Sequence, residues 1–216
     1  MKKGRFYISL GLLGAFALWT VVVAQFDVQA IGPQGSAVGF ATLNGFFHQL
    51  TGVHMPLYVI TDWLGLVPVV FGFGFGVLGL SQWIQRKSIR KVDGSILLLG
   101  GFYIVTLAAY LFFESYVVNY RPVLIEGFLE ASYPSSTTLL VLCVMPAARL
   151  QLRQRIRQPM LQKAVSLGID AFVAFMVIGR LVSGVHWLTD IIGGILLGAG
   201  LVMLYDSLTP NPSIQK

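Results

Sequence analysis

The chain has 216 residues, 56% of them hydrophobic and only 11% charged, with a net charge of +6. Soluble domains carry about 25% charged residues, so this balance excludes a water-soluble enzyme and marks an integral membrane protein, read as one membrane domain over 1–216. The positive charge does not signal nucleic acid: eleven of the fifteen Lys and Arg lie in three clusters beside long apolar runs, where they orient a membrane protein and meet anionic headgroups.

The first cluster, Lys2, Lys3 and Arg5, precedes the apolar run 6–25. In outline this resembles a signal peptide, but a cleavable core is usually about 7–15 residues. The run is long enough to span a ~30 Å hydrocarbon core and is read as a retained first helix. Hydropathy places five more spans at 58–82, 95–118, 135–150, 164–182 and 187–205, the fourth short for a bilayer crossing. The expected fold is an all-α bundle of six transmembrane helices. Basic clusters at Arg86, Lys87, Arg90 and Lys91, and at Arg149, Arg153, Arg155 and Arg157 with Lys163, fall on the N-terminal side of this layout. The positive-inside rule makes that side, both termini and Lys216 cytoplasmic. The segments around residues 40 and 128 are then outside.

Between spans one and two, residues 37–50 carry Val38, Ala41, Phe46, Phe47 and Leu50 partly at helical spacing, which suits an interfacial helix. His48 and His54 in this region read as ordinary interfacial histidines rather than ligands. Gly72, Gly74 and Gly76 follow no strand and precede no Lys-Ser/Thr, so they are not a phosphate loop. They read as a close-packing face, as do Gly194 and Gly198. Cys143 is alone in an apolar run, which excludes a disulfide framework and leaves a small core residue.

Only Arg121 and Arg180 remain as cations on the outer side. A membrane protein keeps cations off that face unless they have work to do. Three polar pieces converge there: Glu114-x6-Arg121-Pro122 after span three, Pro134-Ser135-Ser136-Thr137 opening span four, and Gly179-Arg180-x5-His186-x3-Asp190 between spans five and six. Four residues apart on a helix, His186 and Asp190 share a face and can hydrogen-bond. An Asp on one imidazole nitrogen fixes the tautomer and frees the other to attack. The two arginines offer forked donors that suit phosphoryl oxygens, and Ser135 with the first amides of span four can add hydrogen bonds. A helix N-cap, an interfacial Arg and a structural His–Asp pair are the ordinary readings of each piece alone. Their occurrence together, in order, at one face points to a phosphate site.

These residues resemble the type 2 phosphatidic acid phosphatase superfamily, membrane lipid phosphatases that share a site with vanadium haloperoxidases. The family's motifs are Lys-x6-Arg-Pro, Pro-Ser-Gly-His and Ser-Arg-x5-His-x3-Asp; seven of these eleven positions match with the spacing intact, across roughly 95–205. The resemblance implies a phosphohistidine on His186, Asp190 orienting it, and phosphate held by Arg121, Arg180 and Ser135, with no metal or cofactor. The substrate it implies is a phosphorylated lipid in the bilayer. Four positions depart: Glu114 replaces Lys, Ser136 replaces Gly, Thr137 replaces the His that would protonate the leaving group, and Gly179 replaces Ser. Glu114, Ser136 and Thr137 are candidate site-lining residues. Three activities are compatible with this pattern. One is a lipid phosphatase, with polyprenyl diphosphate as the best-matched substrate. The others are a lipid phosphotransferase and a catalytically silent binder or transporter of a phosphorylated lipid.

Overall fold

The computed structural model describes residues 2–209; the expected cytoplasmic C-terminus at Lys216 lies outside the described residues. Among them the chain is all-helical: α1 (Lys3–Gln25), α2 (Ala41–Thr51), α3 (Met55–Leu64), α4 (Leu66–Arg86), α5 (Gly94–Ser115), α6 (Ser136–Arg155), α7 (Pro159–Val182) and α8 (Leu188–Leu208), with 3-10 turns at Pro33–Gly35 and Ile89–Lys91. No strand forms among the described residues, and the isolated bridges Gln29–Val38, Tyr120–Ala131 and Ile125–Phe128 fold the two long loops back on themselves.

Five segments are long and apolar enough to cross a membrane: Lys3–Gln25, Met55–Arg86, Gly94–Ser115, Pro159–Val182 and Leu188–Leu208. This is a multi-pass membrane protein. The second segment is broken where the sequence suggested one span. Pro68 cannot donate to the carbonyl of Leu64 and its ring crowds that carbonyl, so α3 ends and Gly65 closes it with bonds to the carbonyls of Thr61 and Asp62 at 3.1 and 2.9 Å. The fourth expected span is α6, which does not stop at residue 150 but runs 20 residues to Arg155, about 30 Å at 1.5 Å per residue. It falls short on hydropathy because Arg149, Arg153 and Arg155 occupy its end. It needs little lipid-compatible surface, because it lies inside the bundle against α4, α5, α7 and α8, with Val141, Cys143, Met145, Ala147 and Ala148 buried.

Lipid tails are as apolar as the helices, so association rests on close contact rather than on the hydrophobic effect. Gly194 and Gly198 of α8 provide it. A Cβ at Gly194 would stand 3.0 Å from Thr138 Cγ2, and one at Gly198 would stand 2.8 Å from Leu142 Cβ, both on α6. The expectation fails for α4. A Cβ at Gly74 or Gly76 would meet nothing within 4 Å, and one at Gly72 would reach only the Tyr103 ring at 3.7 Å. Gly74 and Gly76 border open space instead of a neighbouring helix, and Gly72 has room for an ordinary contact with α5. At the far end of the bundle, buried Asp206 of α8 accepts from Lys2 Nζ at 2.6 Å and pairs with Arg5. The segment expected to lie at the interface is helical as α2, with Leu43, Phe46 and Leu50 exposed.

Candidate active site

The turn between α7 and α8 carries the most conspicuous chemistry. It reverses at Gly184, whose φ of +70° and whose approach to the Gly52 carbonyl leave no room for a side chain (a Cβ would stand 1.9 Å from that oxygen). The reversal sets His186 just before Trp187, the N-cap of α8, and Asp190 in the helix's first turn. Asp190 Oδ2 accepts from the Trp187 amide at 2.9 Å, and its Oδ1 accepts from Asn119 Nδ2 at 3.3 Å. Helix α2 roofs this turn through Asn44, whose side chain bonds both the amide of Thr189 at 3.2 Å and its hydroxyl at 2.9 Å. From behind, Trp19 of α1 donates to the Thr189 carbonyl at 3.2 Å.

The direct His–Asp bond expected from helical spacing does not form. His186 precedes α8 rather than lying on it, and its Nδ1 is 3.7 Å from Asp190 Oδ2. Ser132 sits between them. Its hydroxyl donates to Asp190 Oδ2 and lies 3.1 Å from His186 Nδ1. Because that hydroxyl's proton goes to the carboxylate, its lone pair accepts from Nδ1–H, which assigns the proton to Nδ1 and the free lone pair to Nε2. Nε2 lies 3.3 Å from Arg180 Nη2. Burial, and next the charges of Arg121 and Arg180, push His186 well below its ordinary pKa, so the imidazole is neutral and Nε2 is nucleophilic.

Both arginines are buried, Arg121 at 8% and Arg180 at 1% exposure. Both lie over the ring of Tyr58 on α3, with guanidinium carbons 5.9 and 4.8 Å from its centroid, where cation–π attraction offsets their mutual repulsion. Carboxylates stand beside them: Glu130 Oε2 is 3.0 Å from Arg121 Nε, and Asp62 Oδ1 is 3.5 Å from Arg180 Nη1. Neither ion pair has hydrogen-bond geometry, so Nε and Nη1 of both arginines stay buried without a hydrogen-bond partner, as does Ser135 Oγ; of the four nitrogens only Arg121 Nη1 and Arg180 Nε also lack an ion-pair partner among the described residues. Native proteins seldom leave such donors unmatched. Of these groups, Arg180 is the one in contact with His186, its Nη2 lying 3.3 Å from Nε2.

Ser135 enters the site as the N-cap of α6, its amide donating to the Asp190 carbonyl at 3.1 Å. The remaining candidates are placed differently. Glu114 and Arg121 do not share a helix, because α5 ends at Ser115, and Glu114 is exposed and makes no ion pair among the described residues. The carboxylate beside Arg121 is Glu130 instead. Glu114 lines a cavity of about 500 Å³ with Tyr110, Arg121, Glu130 and Ser136. Ser136 and Thr137 are half-buried and line a second, apolar cavity between α4, α5 and α6. No group of three or more His, Cys, Asp or Glu among the described residues could hold a metal. Sequence reasoning missed Ser132, Tyr58, Glu130, Asp62 and Asn119.

The fold has a counterpart. A crystal structure described as the first transmembrane PAP2 type phosphatidylglycerolphosphate phosphatase from Bacillus subtilis superposes with a TM-score of 0.53 at 19% identity, over 93% of this chain and 94% of that one. At that identity the likeness speaks for the fold alone. No curated protein sequence matches the chain. The PAP2 superfamily model matches residues 73–211, a range that holds Arg121, Ser132, Ser135, Arg180, His186 and Asp190, and on that match the chain belongs to the PAP2 superfamily.

Proposed function

We propose that this protein is an integral membrane lipid phosphatase, cleaving a phosphorylated lipid through a phosphohistidine on His186, with polyprenyl diphosphate as its substrate. One observation carries the reading: a neutral, Nδ1-protonated imidazole holds its free Nε2 beside Arg180, whose donors, like those of Arg121, include buried N–H groups without a hydrogen-bond partner. Arg121, Arg180 and Ser135 Oγ bind the oxygens of the terminal phosphoryl group, and Arg180 gives up its contact with Nε2 to do so. Nε2 attacks phosphorus, the P–O bond to the bridging oxygen breaks, and the lipid monophosphate departs with that electron pair. The Nδ1–H⋯Ser132⋯Asp190 chain stabilises the positive imidazole. Water then attacks the phosphohistidine, releasing inorganic phosphate and restoring Nε2. No metal or cofactor enters this sequence.

The substrate follows from the absent acid. Hydrolysing a lipid monophosphate expels an alkoxide whose conjugate acid has a pKa on the order of 15, near that of water, and a general acid contributes about 10²–10⁴-fold. Thr137 is no acid near neutral pH. A diphosphate expels a phosphate monoester whose second pKa is about 6, which leaves unprotonated. The basic clusters support a site on the extracytoplasmic side of the cell membrane, with the N-terminus cytoplasmic. A cysteine at position 128, but not at 155, should react with an impermeant reagent in a Cys143→Ser background.

Incubation with polyprenyl diphosphate labelled in its terminal phosphate should leave an acid-labile, base-stable label on the protein that is absent from His186→Ala. Turnover without that label would exclude the phosphohistidine. Binding with neither label nor turnover would establish the silent-binder reading, and label passing to an added alcohol or lipid rather than to water would establish a phosphotransferase.

A further inference from the structure

Among the described residues, Asp170 is the one acid in the middle of a membrane helix. The other acids carried by helices, Asp62, Glu114, Asp190 and Asp206, each lie within two residues of a helix end. Asp170 lies at mid-length in the 24 residues of α7, about 17 and 18 Å from its two ends at 1.5 Å per residue. A hydrocarbon core is ~30 Å thick, so the carboxylate sits near the middle of the span. Its side chain is 54% exposed, on a side of α7 where Leu167 and Ile178 are exposed as well. An ionisable group at that depth normally faces the interior of a bundle or a water-filled cavity. This one faces outward.

Its companion is Arg149 of α6, which pairs with it through Nη1 and Oδ1. Arg149 lies about 20 Å from the Ser136 end of α6, and Asp170 about 18 Å from the Val182 end of α7. Both of those ends border the phosphate site, so the two charges stand side by side at one depth. The pair is unfinished. Arg149 is 32% exposed, its Nε is buried without a hydrogen-bond partner, and Asp170 makes no second ion pair among the described residues.

Lipid tails offer neither donor nor acceptor, so this pair calls for a cover with polar groups of its own. The order of the charges identifies that cover. An anionic headgroup that met Arg149 would also meet Asp170 beside it, and a cationic one faces the converse conflict. The complement is a face with both signs, at the same depth, in the opposite order. A two-fold axis along the membrane normal generates such a face from this one, because the rotation keeps depth and exchanges left for right. One turn to either side of Asp170 stand Ser166, half-buried, and Ala174, exposed. Both are small, which lets a second backbone come close. We propose that the α6–α7 face bearing Arg149 and Asp170 is the contact between two copies of this chain, each Asp170 meeting the partner's Arg149. The four charges then alternate in sign around the axis, and each guanidinium gains a second carboxylate for its unmatched donors. No residue of the phosphate site takes part, so the pairing stands apart from the lipid-phosphate reading.

The test uses the full chain with Cys143→Ser and Phe128→Cys, labelled at the new thiol with a donor or an acceptor dye and mixed in phosphatidylcholine vesicles at falling protein density. This parent protein should transfer energy at densities where copies with Asp170→Lys, or separately Arg149→Glu, do not. Each change gathers four like charges around the axis and should raise the apparent dissociation constant at least about tenfold, equivalent to about 1.4 kcal/mol. Donor-labelled Asp170→Lys mixed with acceptor-labelled Arg149→Glu should restore transfer, because each copy brings the sign that the other needs. Asp170→Asn keeps the shape of the side chain and guards against a folding defect; it should weaken the dimer about tenfold. A parent protein without transfer at any density would overturn the proposal, as would an Asp170→Asn dimer as tight as the parent. A mixture no tighter than either charge variant alone would assign the ion pair to one copy and overturn it as well.

Discussion

On the α7–α8 side of the site Arg180, His186 and Asp190 are buried at 1, 3 and 0% exposure and knitted to Ser132, Asn119 and Trp187. On the α5–α6 side Glu114 is exposed, Ser136 and Thr137 are half-buried, and all three border cavities. The division follows the motif comparison in part. His186, Asp190 and both arginines match, and the departures at Glu114, Ser136 and Thr137 border cavities, whereas the fourth departure, Gly179, is buried on α7, where a Cβ would stand 2.8 Å from Thr61 Cγ2. A change within the buried network strands a desolvated partner at about 1–3 kcal/mol or more. A change at a cavity wall strands nothing, so those residues report what the cavity holds rather than what the fold demands.

The buried half should therefore fail abruptly. His186→Ala should abolish turnover, a loss of at least about 10³-fold since no covalent intermediate can form. Asp190→Asn should cost on the order of 10²-fold or more in kcat through lost support of the positive imidazole. Substantial activity in His186→Ala, measured as phosphate release in detergent, would reverse the assignment of the two halves.

Ser132→Ala comes next, at about 10–100-fold, because it removes the bridge while leaving His186 and Asp190 in place. A pH profile separates this positioning role from simple damage. Burial and the two arginines hold His186 well below the ordinary histidine pKa of about 6.5. The acid limb of kcat/KM should accordingly lie below pH 6.5 in the wild type and move in Ser132→Ala, whereas a structural defect would scale the whole profile. Stability follows the same sign. Below about pH 6.5 the unfolded chain binds a proton that the folded chain does not, so Tm should fall as pH drops, less steeply in His186→Ala.

The helical membrane fold and the convergence of three polar pieces were legible because both rest on local signals: apolar run length, and motif spacing at span ends. The bridge by Ser132 was not. It depends on where the α5–α6 loop returns, which the long-range contacts of Asn119 decide: its side chain bonds Gly39 and Asp190, and its carbonyl receives the Ser132 amide at 2.9 Å. Tyr58 looked like the first residue of a span and became the ring under two guanidiniums only because Pro68 and Gly65 break that span. The glycines of α4 and α8 read alike as packing residues. Only the side chain opposite each one, Leu142 against Gly198 and nothing against Gly76, tells a helix contact from an open flank.

The open half should respond gradually, and Thr137→His sharpens that contrast. If the α6 first turn borders the leaving group, a histidine there supplies the absent proton and raises monoester turnover while leaving diphosphate cleavage nearly unchanged. The expected gain is about 10²-fold, the lower end for general acid catalysis, because the ring must settle in a wall shaped for Thr. Rates on phosphatidic acid and polyprenyl diphosphate in one detergent measure the ratio. Equal turnover of both lipids by the wild type would mean that another group already donates the proton.

The smallest effect belongs to Glu114, and its sign is informative. The side chain is exposed, borders the same cavity as Arg121 and makes no ion pair among the described residues, so Glu114→Gln should leave folding intact. Surface charges in water contribute about 0–1 kcal/mol, which limits the change in substrate affinity to a few-fold. A carboxylate near an anionic substrate repels it, so Glu114→Gln should lower KM for a diphosphate slightly. Glu114→Lys should lower it further, and the gain should shrink as salt rises, because screening weakens exposed charges. A KM that is unchanged by the Lys substitution at low salt would place Glu114 outside the substrate's field and confine the electrostatics of the open half to Arg121 and Glu130. A KM that rises instead would mean that the cavity receives a cationic headgroup, and the diphosphate assignment would then give way to a lipid bearing both phosphate and amine.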